Sequence, residues 1–199
     1  MEISLMHHTP LSVCAHAIRT CWQSFDKSDG GGPVDTALID RVGNKLKHAS
    51  TIEHLVYTFN IKGLSRACLQ ELSRHRMASL SVKSTRYTLK ELKNLDDIVS
   101  HKGTEKFCVL TGSKVVDDEI VAALMRLQRV VKLGEPNDYA KFALPEAYKT
   151  DLVWTINARS LQNFISLRSS RSALWAIQDL AEGVREALPK EHKFIFKGC

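Results

Sequence analysis

Leu55-Val56-Tyr57-Thr58-Phe59-Asn60-Ile61 sets a large apolar side chain at every second position. Period two puts Leu55, Tyr57, Phe59 and Ile61 on one face of an extended chain and Val56, Thr58 and Asn60 on the other. Aromatic and β-branched residues suit a pleated, half-buried surface, so the spacing predicts a strand. Just beyond it, Leu64, Cys68 and Leu72 switch to helical spacing, and that helix is expected to end within Arg74-His75-Arg76. Two periods so close together argue for a mixed α/β (α+β) fold.

Upstream, residues 2–6 predict a short strand. Pro10 suits a helix start, and Leu11, Val13, Ala17 and Ile18 extend that helix to about Gln23. Ser28 to Pro33 holds three consecutive glycines and reads as a mobile loop. A second helix follows, with Leu38, Ile39, Val42 and Leu46 on one face. Downstream, residues 77–90 are rich in Ser and Thr and predict a loop or extended chain. Residues 94–117 show no clear period. Ile120, Leu124, Leu127 and Val131 predict a helix from about Asp118 to Val131, stopped by Gly134 and Pro136. Val153, Thr155 and Asn157 predict a short strand, and two helices are expected over about 159–169 and 172–188. No repeat or linker divides the chain, so a single catalytic domain over residues 1–199 is expected.

The composition, 44% hydrophobic and 25% charged, is that of a globular chain and excludes extensive disorder. No apolar run approaches the ~20 residues of a membrane-spanning helix. No secretory signal precedes Pro10, so the cytoplasm is the expected compartment. The five cysteines lack CxxC spacing, which fits neither a disulfide framework nor a zinc site, and no metal is expected. The net charge of +6 points to anionic partners.

The densest polar cluster is Arg74-His75-Arg76-Met77-Ala78-Ser79-Leu80-Ser81-Val82-Lys83-Ser84-Thr85-Arg86-Tyr87. Guanidinium forks make bidentate, charge-assisted hydrogen bonds to phosphate, and small hydroxyl residues let a ligand approach the backbone. A bare Arg-His-Arg at a helix end could equally answer the helix dipole. Ser84 has the type of a nucleophile, but no base partner can be named for it, which favours a binding role. Further on, Leu161, Phe164, Ile165 and Arg168 share one helix face. An arginine closing an apolar face either snorkels to solvent or is held inward by an anion.

Arg74-His75-Arg76, seven residues, then Ser84-Thr85-Arg86-Tyr87 resembles the signature of the flavin-dependent thymidylate synthases. His48-Ala49-Ser50 with Glu53-His54 is similar to that family's N-terminal flavin-contact segment. Asn157-Ala158-Arg159-Ser160-Leu161, with Asn163 and Leu167-Arg168, looks like its C-terminal signature. The three blocks stand in family order over roughly residues 45–180.

The resemblance implies a central, mostly antiparallel sheet flanked by helices, and a homotetramer with shared active sites. It implies reductive methylation of dUMP to dTMP, with methylene-tetrahydrofolate as carbon donor and NADPH-reduced FAD as hydride source. By that resemblance, Ser50, Arg74, His75, Arg76, Val82, Asn157, Ala158, Arg159 and Asn163 would bind FAD. Glu71, Leu72, Ser73, Arg74, Val82, Lys83, Ser84, Thr85, Arg86, Lys141 and Arg168 would bind dUMP. Arg168 would lie against the uracil and stabilise negative charge developing there. His48 has three readings: a core histidine, a flavin-site residue or part of a folate surface.

The chain departs from the pattern at Ser81-Val82, where the family usually has Asn-Glu, at Glu71 for Gln, and at Lys141 for Arg. Ser172, Leu174 and Ala176 also replace residues that are polar elsewhere. One rival reading is therefore a flavoprotein of the same fold with altered activity. Another is a nucleic-acid-binding module, against which the aromatics are not grouped with the basic residues as a stacking platform requires.

Overall fold

The computed structural model describes residues 1–96, 98 and 100–199. It is a mixed helix and strand structure with a four-stranded antiparallel sheet in the order β1-β2-β4-β3. The strands are β1 (Glu2–His8), β2 (Val56–Ser65), β3 (Ala78–Val82) and β4 (Lys149–Asn157). The helices are α1 (Leu11–Thr20), α2 (Pro33–Ile39), α3 (Arg66–Leu72), α4 (Thr85–Thr88), α5 (His101–Thr104), α6 (Lys114–Lys132), α7 (Asn137–Ala140), α8 (Ala158–Arg168) and α9 (Trp175–Ala187). No helix among the described residues is long and apolar enough to cross a membrane.

The chain groups into two compact units, one of Met1–Ile61, Leu72–Ser81 and Val153–Cys199, the other of Lys62–Glu71 and Val82–Leu152. Neither is a single continuous segment.

In the first unit the alternation read from residues 55–61 holds: Leu55, Tyr57, Phe59 and Ile61 are all buried. β4 is longer than the predicted 153–157, and it buries Trp154 and Ile156 with the same period. Asn157 ends the strand and caps α8, its side chain accepting from the Ser160 amide at 2.9 Å. α8 then buries Leu161, Phe164 and Ile165. A chain of rings runs from the strands to this helix: Phe59 to Trp154 at 6.0 Å, and Trp154 to Phe164 at 5.0 Å. Each such pair adds roughly 0.5–1.5 kcal/mol beyond its burial and fixes ring orientation.

Two local features depart from expectation. The apolar face predicted for the second helix breaks at Leu46, which is 58% exposed. α2 passes into a π-helical stretch over Asp40–Lys45, and five-residue hydrogen bonds shift the face that spacing by four would repeat. Gly43 lets this stretch sit against the turn at Ala49–His54, since a Cβ there would meet Ile52 Cγ2 at 2.6 Å. The glycine loop expected to be mobile is tied down. The Asp35 carboxylate accepts from Ser28 Oγ at 2.6 Å, the Gly31 amide at 2.9 Å and Arg19 Nη2 at 2.7 Å. Burial alone would raise the Asp35 pKa, but the hydrogen bonds from Ser28 and Arg19 outweigh it and hold it below the usual carboxylate range.

In the second unit, α6 buries Ile120, Leu124, Leu127 and Val131 as predicted, against Leu89, Leu92, Cys108 and Tyr148. It starts about a turn earlier than expected, because the valines of its first turn, Val115 and Val116, are exposed and stand outside the apolar face. Asp117 holds the entry by accepting from the Thr111 and Gly112 amides at 2.7 and 3.0 Å. In the stretch without a period, Ile98 and Cys108 join the apolar core, and buried Gln128 accepts from the Ile98 amide at 3.1 Å and donates to the Asp96 carbonyl at 3.1 Å. Residues 97 and 99 of that stretch lie outside the described residues.

Candidate active site

α3 stops at Leu72, ahead of the basic run, so Arg74-His75-Arg76 occupies the link between α3 and β3. The His75 amide still bonds to the Leu72 carbonyl at 3.0 Å, which closes a turn and fixes the start of this link. In the first unit the His75 ring stands edge-on to Phe164, with centroids 4.9 Å apart and planes at 81°. Arg168 at the end of α8 donates from Nε to His75 Nε2 at 2.9 Å. An arginine Nε only donates, so Nε2 of His75 accepts and the ring proton sits on Nδ1. Arg168 is thus half-buried and directed onto its own chain rather than into solvent. The group that receives it is a histidine of the Arg-His-Arg triplet.

Arg74 and Arg76 are exposed, and neither makes an ion pair or hydrogen bond among the described residues. Two guanidinium forks without a carboxylate partner beside an ordered histidine form a ready site for an anion. Arg159, at the first turn of α8, pairs instead with Glu53 at 2.7 Å. Glu53 lies in the turn that carries Ser50, and this turn packs on α8. Asn163 is exposed on the same helix. Ala158 is buried with its amide bonded to the Leu55 carbonyl at 2.8 Å, so a ligand would meet it only through main chain. His48 is exposed, which removes the core-histidine reading and leaves the other two. Leu72 is buried, and Ser73 is exposed in the turn that follows α3.

The second unit holds another basic set. Arg86 forks onto Asp138, Nε to Oδ1 at 2.6 Å and Nη2 to Oδ2 at 3.2 Å. Hydrogen bonds from Arg86 hold the Asp138 carboxyl below its ordinary range. The Asn137 side chain also donates to the Arg86 carbonyl at 2.8 Å, so α7 positions this arginine twice. Lys83 reaches Glu91 at 3.4 Å, and Glu91 accepts from the buried Tyr148 hydroxyl at 3.0 Å. Ser84 precedes α4 with its side chain exposed and its hydroxyl unbonded among the described residues. Among the described residues no base is bonded to it, in keeping with a binding role. Thr85 is buried, Val82 exposed, and Lys141 half-buried in the turn after α7. Glu71 is half-buried at the end of α3.

The sequence reading missed the carboxylates that hold these cations. Glu53 stands in a motif that gives it no such role, and nothing in the sequence marks Asp138 or Glu91. Glu53 and Asp138 lie 106 and 52 residues from their partners, and no local spacing signals a contact of that range.

The chain matches the family model described as "Thymidylate synthase complementing protein" over residues 4–192. It is 62% identical to a flavin-dependent thymidylate synthase of Wolinella succinogenes, over 98% of this chain and 97% of that protein. It is 61% identical to the enzyme of that name from Campylobacter jejuni, over 100% of this chain and 97% of that protein. A crystal structure of the Helicobacter pylori flavin-dependent thymidylate synthase, complexed with FAD and dUMP, superposes with a TM-score of 0.96. That pair shares 52% identity and covers 100% of this chain and 99% of the other.

Proposed function

The chain belongs to the family of flavin-dependent thymidylate synthases, and from that premise we propose how its own residues methylate dUMP to dTMP. FAD would be held by Arg74, His75, Arg76, Asn157, Arg159 and Asn163, with Ser50, Val82 and the main chain at Ala158. The fit rests on the two exposed guanidinium groups, which suit a pyrophosphate. When bound and reduced by NADPH, FAD supplies the hydride that completes a methyl group whose carbon comes from methylene-tetrahydrofolate.

dUMP binds through residues 71–74 and 82–86 with Lys141 and Arg168. The fork that Arg86 makes on Asp138 is the geometry that a phosphate accepts, so the nucleotide displaces Asp138 and takes over an arginine whose main chain is already held by Asn137. Lys141 contributes a point charge rather than a fork. Arg168 brings a donor-only guanidinium. Its cation faces the uracil and favours negative charge on the ring, which makes carbon 5 more nucleophilic. His75 holds the plane of that guanidinium through Nε, so no reorganisation is needed as charge develops.

The observation that carries this reading is the Arg168–His75 hydrogen bond beside Arg74 and Arg76, exposed and unpaired among the described residues. The proposal includes one catalytic domain, a cytoplasmic location and a homotetramer whose subunits share active sites. Each unit exposes large apolar side chains that further subunits would cover, Trp22 and Met77 in the first, Tyr139 and Phe142 in the second.

The test is the visible spectrum of the purified protein. A bound flavin, perturbed by added dUMP and bleached by NADPH under anaerobic conditions, is the expected result. A colourless protein that takes up no added FAD contradicts it.

A further inference from the structure

Three donors unrelated to the site above converge where β1 ends beside the C-terminal helical turn at Lys190–Phe196. His8, Glu191 and His192 each present one ligand atom, and these atoms lie within 4.8 Å of one another. We propose that His8, Glu191 and His192 form a binding site for a divalent transition metal of the zinc class, clipping the end of β1 to the C-terminal turn.

The neighbours of the cluster support a metal over an ordinary surface ion pair. His8 Nε2 stands 3.8 Å from Glu191 Oε1, beyond hydrogen-bond reach and therefore a weak interaction by itself. The same gap is close to the spacing of about 3.3 Å between two ligands on a tetrahedral zinc. His192 is buried, and its Nδ1 is already bonded to the Tyr57 hydroxyl at 2.9 Å. That bond leaves Nε2 as the ring nitrogen for a metal, and metal-bound histidines are commonly oriented in this way through their other nitrogen. The His8 and His192 rings are 4.9 Å apart at 87°, a compact arrangement with an exposed carboxylate at its rim. Two imidazoles and one carboxylate suit zinc and its neighbours rather than calcium or magnesium, and leave a fourth position for water.

The test uses tag-free, chelator-treated enzyme with its flavin retained. Zinc chloride is titrated against a chromophoric chelator, and the unfolding temperature is followed in parallel. About one zinc per chain is expected, with a rise in unfolding temperature. His8→Ala and Glu191→Gln should each weaken binding by at least about tenfold, and Tyr57→Phe by a similar factor through His192. His7→Ala, a change at the preceding residue outside the cluster, should bind as the unmodified enzyme does. Zinc bound only at millimolar concentration, or bound equally well by the His8→Ala, Glu191→Gln double variant, overturns the proposal.

Discussion

Arg168 is fixed by His75: the Nε–Nε2 hydrogen bond of 2.9 Å joins the last residue of α8 to the link between α3 and β3. The His75 ring is itself braced edge-on by Phe164, one turn back on α8. Core packing therefore reaches Arg168 through the rings of Trp154, Phe164 and His75. On this account His75 is a positioning residue for the arginine as well as a flavin contact. His75→Ala should lower kcat by about tenfold or more while changing KM for dUMP less, because charge stabilisation depends on orientation. His75→Gln, which retains a side-chain acceptor, should recover part of kcat. Steady-state kinetics of the two variants check this, and equal losses in both would reject the positioning role.

Asn157 both caps α8 and is proposed to touch the flavin. Asn157→Ala should cost about 1 kcal/mol of stability, the usual loss on removing a cap. Asn157→Ser keeps a capping oxygen and should unfold near the wild-type temperature, yet bind FAD more weakly. Calorimetry and flavin titration on the two variants separate the structural role from the binding one.

Arg86 is exposed, and its pair with Asp138 should add little to stability. Asp138→Asn should leave the unfolding temperature nearly unchanged and lower KM for dUMP, since the phosphate no longer competes with a carboxylate. Arg86→Ala should raise KM about tenfold or more. A KM unaffected by both changes would remove Arg86 from the nucleotide site.

The Arg19–Asp35 pair is the opposite case, with side chains only 5% and 0% exposed. Removing one partner of a buried pair leaves an uncompensated charge, so Arg19→Met should destabilise by about 3–5 kcal/mol. The folded pKa of Asp35 lies below its unfolded value of about 3.9. Its contribution is therefore present above that value and lost as pH falls through the folded pKa. Unfolding temperature measured from pH 6 down to 2 should fall less steeply in Asp35→Asn, from a lower starting point.

The strands and helices with a clean period were legible from the start. Leu55 to Ile61 alternates because one face is core, and Ile120 to Val131 repeats at helical spacing for the same reason. What stayed hidden has particular causes. Ala78–Val82 alternates over only five residues, with Ala78, Leu80 and Val82 half-buried or exposed, so the Ser- and Thr-rich stretch around it leaves loop and extended chain both open. Leu46 shares the predicted face only while the helix is α-helical, and the π turn ends that. Ile98 is held by contacts distant in sequence, the apolar core and the Gln128 side chain reaching back 30 residues. In the site, motif spacing revealed the cations but not the acids. The direction of Arg168 could be posed as a choice but not decided, since its partner lies 93 residues away.

Release of tritium from dUMP labelled at carbon 5, with NADPH and methylene-tetrahydrofolate present, is the decisive measurement. Release accompanied by dTMP is the expected result. In Arg168→Ala, release should fall by about a hundredfold or more while the flavin stays bound. No release from a flavin-loaded, folded enzyme, or undiminished release in Arg168→Ala, would contradict the proposed mechanism.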